Sequence, residues 1–189
     1  MDTPPALALF LCYLLGTIPF GLLWTRILGR PDPRTGGSGN IGATNVLRTG
    51  GRLAGALTLL CDAAKGSAAA ALAGPWGMAA AFIGHVFPVW LRFRGGKGVA
   101  VFFGGMCALS PWLGAALAGV WLLAYRLSRR SSVGALSAAA AALPLSYLYA
   151  PAVFPAIVPT SAMIFYTHRT NIARLRAGTE PRTDNKKSR

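Results

Sequence analysis

The chain predicts an all-α integral membrane protein, a compact bundle of seven transmembrane helices, and three observations predict it. Of its 189 residues 53% are hydrophobic and only 13% are charged, about half the charged share of a soluble domain. Apolar runs recur along it, the first of about 23 residues, enough to cross a hydrocarbon core of about 30 Å. The 19 Lys and Arg residues, against 5 acidic ones, fall in short clusters between those runs. A net charge of +14 on a soluble, aromatic-bearing surface would suit nucleic acid. Between apolar segments it points instead to the anionic face of a bilayer, so anionic membrane lipids and not nucleic acid are the expected contact.

The first span is expected over 6–28, with Trp24 and Arg26 at its lower end. The residues before it, Met1-Asp2-Thr3-Pro4-Pro5, lack the basic start of a secretory signal, so the segment is expected to be retained. A second span over 53–73 carries Asp62 and Lys65. Three apart, they share a helix face and lower each other's cost in the membrane, which reads as a structural ion pair rather than a proton or substrate relay. Gly74-Pro75-Trp76-Gly77 is a tight turn, followed by a third span over 78–90.

Residues 99–125 admit one helix kinked at Pro111 or two short helices reversing at Ser110-Pro111-Trp112. Two helices place Arg126, Arg129 and Arg130 on the same side as the other basic loops, as the positive-inside rule prefers. An alanine-rich sixth span follows over 133–149, its small residues suiting close helix approach. A seventh over 153–166 is expected to bend at Pro155 and Pro159. Seven spans put the N-terminus outside, the C-terminus in the cytoplasm, and all basic residues except Lys65 on the inner side. The whole reads as one polytopic domain over 1–180 with three cytoplasmic-side motif loops, 36–51, 84–101 and 166–180, and a basic disordered tail over 181–189. Cys12, Cys61 and Cys107 lie inside apolar runs without CxxC or Cys/His spacing, so neither a disulfide framework nor a zinc site is indicated.

The three polar stretches carry the chemistry. In 36–51 glycines Gly37, Gly39 and Gly42 free the backbone to form an anion-binding nest, Ser38, Asn40, Thr44 and Asn45 add short polar arms, and Arg48 supplies a planar cationic fork. The competing reading is a flexible Gly/Ser linker, but linkers rarely interleave Asn, Thr and Arg this densely. In the second, Gly95-Gly96-Lys97-Gly98 resembles a P-loop without being one, because Leu91 and Gly98 stand where a Walker sequence needs Gly and Ser or Thr. A bendable backbone, an ammonium and a helix starting at about Val99 remain, and they favour an anion site over a plain turn. The third stretch holds His168, Arg169, Asn171, Arg174 and Glu180. The plain alternative for His168 is an interfacial histidine bonded to a carbonyl, and for His85 a structural role is slightly favoured.

On an odd span count all three stretches share the cytoplasmic side, where Arg48, Lys97 and Arg169 or Arg174 supply charge for two phosphate groups. Such a site suits acyl or phosphoryl transfer between a phosphorylated soluble molecule and a lipid. Phosphoryl transfer usually needs a divalent metal held by carboxylates. The five acidic residues form no such cluster, so a metal-independent acyl transfer is preferred and no cofactor is called for. The principal rival is a small anion or phosphate-ester transporter, which would want a polar path across the full bilayer and a repeated half.

Taken together, residues 37–51, 84–101 and 168–180 resemble the bacterial acylphosphate:glycerol-3-phosphate acyltransferase family, whose motifs read GSGNxGATNxxRxxG, GHxFPxxLxFxGGKGVAT and HRxNIxRLxxGxE. The visible departure is Val101, where threonine is usual. The resemblance implies transfer of a fatty acyl group from acyl phosphate to the sn-1 hydroxyl of glycerol 3-phosphate at the bacterial inner membrane, without acyl-CoA, acyl-carrier protein or an obligatory protein partner. It implies catalytic roles for Ser38, Arg48, Lys97, His168 and Asn171. Substrate contacts would come from Gly37, Asn40, Thr44, Asn45, Gly95, Gly96, Gly98, Arg169 and Arg174, and Glu180 would support structure. Either His168 or a substrate phosphate oxygen would take the hydroxyl proton.

Overall fold

The computed structural model describes residues 4–183, which form nine α-helices and no strand. The basic tail expected over 181–189 lies outside the described residues from 184 on. Two compact units divide the chain, Met1–Pro111 and Trp112–Arg189.

In the first unit, α1 (Ala6–Gly16) and α2 (Phe20–Ile27) occupy the expected first span. The chain breaks between them because Pro19 has no N–H to donate and its ring drives the preceding residue out of helical geometry. Together they make an apolar stretch, Ala6–Ile27, of 22 residues. A short 3-10 turn, Pro33–Thr35, and α3 (Ala43–Gly50) follow. The segment 36–51 is therefore a loop only as far as Gly42. Beyond it Val46 turns inward and is fully buried, giving the short helix an apolar anchor.

Helix α4 (Arg52–Val86) is nominally 35 residues long, about 52 Å if straight, well over the thickness of a bilayer core. It is not straight. Ala73 (φ −142°) and Gly74 (φ +61°, ψ −150°) leave helical geometry, and the second is a conformation that only glycine adopts without strain. Asp62 Oδ1 and His85 Nδ1 lie 3.5 Å apart, whereas a straight helix would separate those residues by about 34 Å. The chain thus reverses at the expected turn into two antiparallel arms, 52–72 and 75–86.

Small residues let the arms and their neighbours touch backbone to backbone. Gly84 of the second arm abuts the backbone of Tyr13 and Thr17 in and after α1, and Gly16 abuts that of Ala81. Helix α5 (Val99–Leu109) lies along the first arm through Gly66 against Val101 and Gly104 against Ala63, where any side chain would collide. Val101 is fully buried in that seam.

Ser110 is extended (φ −155°, ψ 94°) and ends α5. Helix α6 (Pro111–Ser128) starts on Pro111, a first position where a missing N–H breaks no helical bond. Residues 99–125 are therefore two helices. In the second unit α7 (Ser131–Tyr149) buries Ala135, Ala138, Ala139 and Ala142, the i, i+3, i+4, i+7 spacing of one helix face. Gly134 packs against Trp121 of α6. Helix α8 (Phe154–Thr167) runs on through Pro159 and buries Ile157, Thr160, Ser161 and Ile164. Helix α9 (Arg169–Arg176) makes part of the third polar stretch helical. By length and composition Ala6–Ile27, Arg52–Leu91 and Ser131–Tyr149 can each cross a membrane, and Val99–Leu109 and Phe154–Thr167 are shorter apolar helices.

Candidate substrate site

The glycine loop before α3 is held by one side chain. Asn45 is 3% exposed; its Oδ1 accepts the Ser38 backbone N–H at 2.8 Å. Its Nδ2 donates to the carbonyls of Pro33, Gly36 and Asn40 at 2.8, 3.2 and 2.9 Å. Two hydrogens shared among three acceptors leave the amide NH2 nothing to donate to a ligand. Asn45, expected as a substrate contact, instead fixes the loop. The Asn40 carbonyl of its side chain accepts the Gly42 N–H at 2.8 Å, a local turn that delivers the chain to α3. Gly37 has φ +60°, and a side chain there would strike the Asn45 amide. Arg48, one turn beyond Asn45, passes its Cδ within 3.4 Å of the Cβ that Gly37 lacks. Ser38, Thr44 and Arg48 are exposed, so the stitched loop presents a hydroxyl and a guanidinium outward.

The second stretch folds back on the end of α4. A 3-10 turn, Val89–Leu91, followed by Arg92 (φ +51°) and Phe93 (φ +61°), reverses the chain. The Gly95 and Gly96 N–H groups then donate to the carbonyls of Val86 and His85, each at 3.0 Å. Gly95 lies against Pro88 and the His85 carbonyl, Gly96 against the His85 ring, and Gly98 (φ +78°) against the Phe82 ring. None of the three has room for a side chain. Lys97 projects from the middle of this run, half-buried, and α5 begins two residues later.

The expected ion pair exists: Lys65 Nζ is 2.8 Å from Asp62 Oδ1, with both side chains almost wholly buried. It is also more than a pair. Lys65 donates to the Ile18 carbonyl at 2.8 Å, at the break between α1 and α2, and lies 5.5 Å from the Phe20 ring centroid. The same Asp62 oxygen also faces His85 Nδ1.

In the second unit Glu180 gathers the third stretch. Its Oε1 accepts from Ser132 Oγ and Asn171 Nδ2, each at 2.6 Å, and its Oε2 from Arg174 Nε at 2.7 Å. Its backbone carbonyl accepts from Arg130 Nε at 3.0 Å. Burial alone would raise the Glu180 carboxyl, but the hydrogen bonds from Ser132, Asn171 and Arg174, with the charge of Arg174, outweigh it and hold the group below its ordinary range. Arg174, expected to meet substrate, commits one edge of its guanidinium to this carboxylate. Arg169 is exposed, stacked over Tyr166 at 4.5 Å and donating to its carbonyl at 3.2 Å. His168 is 3% exposed, with Nδ1 2.8 Å from the Ile164 carbonyl. A carbonyl only accepts, so Nδ1 carries the proton and Nε2 is the basic nitrogen of the neutral ring. The carbonyl-bonded reading of His168 thus holds, and it sets the tautomer a proton acceptor needs.

The first unit therefore builds the Ser38, Asn45 and Arg48 group and the Gly95–Lys97–Gly98 run, and the second unit builds the His168, Asn171, Arg174 and Glu180 group. Among the links that escaped the sequence reading are His85 to Asp62 and Glu180 to Asn171. For the first there was a signal, since a buried carboxylate in an apolar span needs every partner it can find.

Apolar helices with hydroxyl, amide and cationic groups confined to the segments between them define an integral membrane protein. The sequence profile described as glycerol-3-phosphate acyltransferase matches residues 6–178. Proteins named glycerol-3-phosphate acyltransferase are 49% identical in Roseobacter denitrificans, over 98% of both chains, and 50% identical in Methylorubrum populi, over 96% of this chain and 95% of that one. The crystal structure of PlsY (YgiH), an integral membrane glycerol 3-phosphate acyltransferase, in its glycerol 3-phosphate form superposes with a TM-score of 0.86 at 34% identity, covering 93% of this chain and 94% of that one. Its lysophosphatidic acid form gives 0.83 at 33% identity, covering 93% of each. The chain belongs to the glycerol-3-phosphate acyltransferase family, the PlsY family.

Proposed function

We propose that this protein transfers a fatty acyl group from acyl phosphate to the sn-1 hydroxyl of glycerol 3-phosphate, releasing lysophosphatidic acid and inorganic phosphate. The observation that carries the reading is likeness over 93% of this chain to a protein solved in glycerol 3-phosphate and lysophosphatidic acid forms, in a chain whose three polar stretches follow the family's motifs apart from Val101. The topology proposed with it has seven passes, the N-terminus outside and the motif segments on the cytoplasmic side of the bacterial inner membrane. The reversal of α4 supports an odd count by making two arms of one apolar stretch.

In the reaction the glycerol hydroxyl oxygen attacks the acyl carbonyl carbon, a C–O ester bond forms, and the C–O bond to phosphate breaks with the electron pair leaving on phosphate. The leaving group is good, so charge placement rather than strong acid catalysis supplies the acceleration. Ser38 and Arg48 are proposed to steady the acyl phosphate, and Lys97 with the Gly95–Gly98 backbone to hold the glycerol phosphate. The hydroxyl proton passes to His168 Nε2 or to a substrate phosphate oxygen, and the tautomer fixed by Ile164 favours the imidazole. Asn171, held by Glu180, is proposed to orient the reacting groups. The transporter reading has less support, because Asp62 and Lys65, the deep charges it would use, are engaged by His85, Ile18 and each other.

The test is purified protein with synthetic acyl phosphate and glycerol 3-phosphate, with chelator present and coenzyme A absent. Equal amounts of phosphate and lysophosphatidic acid are expected, with acyl-CoA inert as donor. Folded protein that gives no product from acyl phosphate, or equal product from acyl-CoA, would contradict the proposed donor.

A further inference from the structure

His85 belongs to no step of the proposed reaction, yet its ring lies between Asp62 and the Gly-Gly-Lys-Gly run. It is 5% exposed and stands at the end of the second α4 arm. Its Nδ1 faces Asp62 Oδ1 at 3.5 Å, and Asp62 is paired with Lys65 at 2.8 Å. Lys65 is tied to the Ile18 carbonyl at 2.8 Å. On the opposite edge the ring meets Gly96: a Cβ there would lie 2.9 Å from both Cδ2 and Cε1 and closer still to Nε2. The His85 carbonyl accepts the Gly96 N–H at 3.0 Å. The same turn is pinned by Trp90 Nε1 donating to Thr17 Oγ1 at 2.8 Å and by Tyr13 Oη donating to the Phe87 carbonyl at 2.9 Å.

We infer that His85 is a positioning residue: clamped from below by Asp62 and Lys65, its imidazole is the floor on which Gly96 rests, and it sets the height and direction of the Gly95–Gly98 backbone and of Lys97. A buried acid in a span would by itself be an expense. Here it fixes the rotation of a ring whose other edge bears on a loop, as a second carboxylate does behind many ligand histidines. Glycine at 96 follows from the same contact, since only a residue without Cβ lets the backbone descend onto the ring. The inference rests on the proposed binding of glycerol 3-phosphate by this run only for its kinetic consequence.

Two readouts separate the inference from that reading. Amide hydrogen exchange of the full-length protein in detergent follows the 93–101 amides whatever the loop binds, and steady-state kinetics follow KM for each substrate. In His85→Ala, exchange over 93–101 is expected to accelerate at least tenfold with other protected segments unchanged. KM for glycerol 3-phosphate should rise roughly tenfold while KM for acyl phosphate stays within twofold. Should His85→Ala fold poorly, His85→Asn, whose amide reaches the place of Nδ1 but leaves no ring under Gly96, carries the same expectation. Gly96→Ala, which drives a methyl into the ring, should also raise KM for glycerol 3-phosphate. Combining it with His85→Ala should be no worse than Gly96→Ala alone, because the removed ring vacates the space the methyl needs. Unchanged exchange in a folded variant, or fully multiplicative KM effects in the double variant, would overturn the positioning role. Faster exchange with KM for glycerol 3-phosphate unmoved would uphold it and overturn the assignment of the run to that substrate.

Discussion

The glycine loop at 36–42 and the stretch at 168–180 are each held by a single buried side chain, but the two side chains are of opposite kinds. Asn45 has one N–H to catch and three carbonyls to satisfy, and only a primary amide offers an acceptor and donors on one short stem. Glu180 is met by a hydroxyl, an amide and a guanidinium, all donors, and a carboxylate with two oxygens is the complement. The first hub organises backbone and leaves the side chains of Ser38 and Arg48 to face outward. The second grips side chains themselves, Asn171 and Arg174. A loop whose backbone must be held and a helix end whose side chains must be held thus call for a neutral hub and a charged one.

Substitutions that swap the two chemistries should do the most damage. Asn45→Asp replaces three donations by a carboxylate facing three carbonyls, so the loss of hydrogen bonds is compounded by repulsion and is expected to cost about 4 kcal/mol or more. Thermal unfolding in detergent should show it, with activity absent even where folded protein remains. Next is Glu180→Ala, which strands Ser132 and Asn171 and frees Arg174. Discounting the Arg174 bond for its exposure, with 38% of that side chain accessible, leaves about 2–3 kcal/mol and a fall in kcat larger than any change in KM. If Glu180→Ala instead left kcat intact, the hub would hold shape without orienting Asn171.

Acid should tell the hubs apart. The Glu180 carboxyl is held below its unfolded value of about 4.3, so its contribution is fully present above that value and is lost as pH falls through the lower folded pKa. Amide exchange over 168–183 should therefore accelerate below about pH 4, and the loop at 36–45, held by an amide that does not titrate, should not respond with it. Glu180→Gln should erase that acid step for about 1 kcal/mol of stability at neutral pH. Equal acid sensitivity in both segments would break the comparison. The smallest effect belongs to Arg34→Ala beside the first hub. Its bidentate pair with Asp32 closes at 2.6 Å but sits in solvent, and less than about 1 kcal/mol is expected.

How much of this was legible in the sequence follows from what each feature depends on. The break at Pro19 aside, apolar length gave the helices, Gly74 the hairpin turn and Pro111 the division of 99–125, because each is a property of a few adjacent residues. The Asp62 and Lys65 pair was legible from spacing alone. The loop-stitching role of Asn45 was not legible, because an amide that binds a ligand and one that stitches a loop look the same until the carbonyls of Pro33, Gly36 and Asn40 are placed around it. His85 could be paired with Asp62 only by combining two signals, a buried carboxylate in need of partners and the reversal at Gly74 that brings the two residues together. The short helices α3 and α9 were read as loops because glycine and arginine content masked two turns of helix anchored by Val46 and Asn171.

A shared acyl-transfer site requires the three polar stretches to lie at one face of the membrane, and sidedness of labelling tests that most directly. Single cysteines at the exposed positions Ser38, Arg94 and Arg169, in a background lacking Cys12, Cys61 and Cys107, would be treated in intact cells and in inverted vesicles with a membrane-impermeant maleimide. All three are predicted to react in inverted vesicles and to be protected in intact cells. Reaction of any one of them from the outer side would contradict a shared acyl-transfer site.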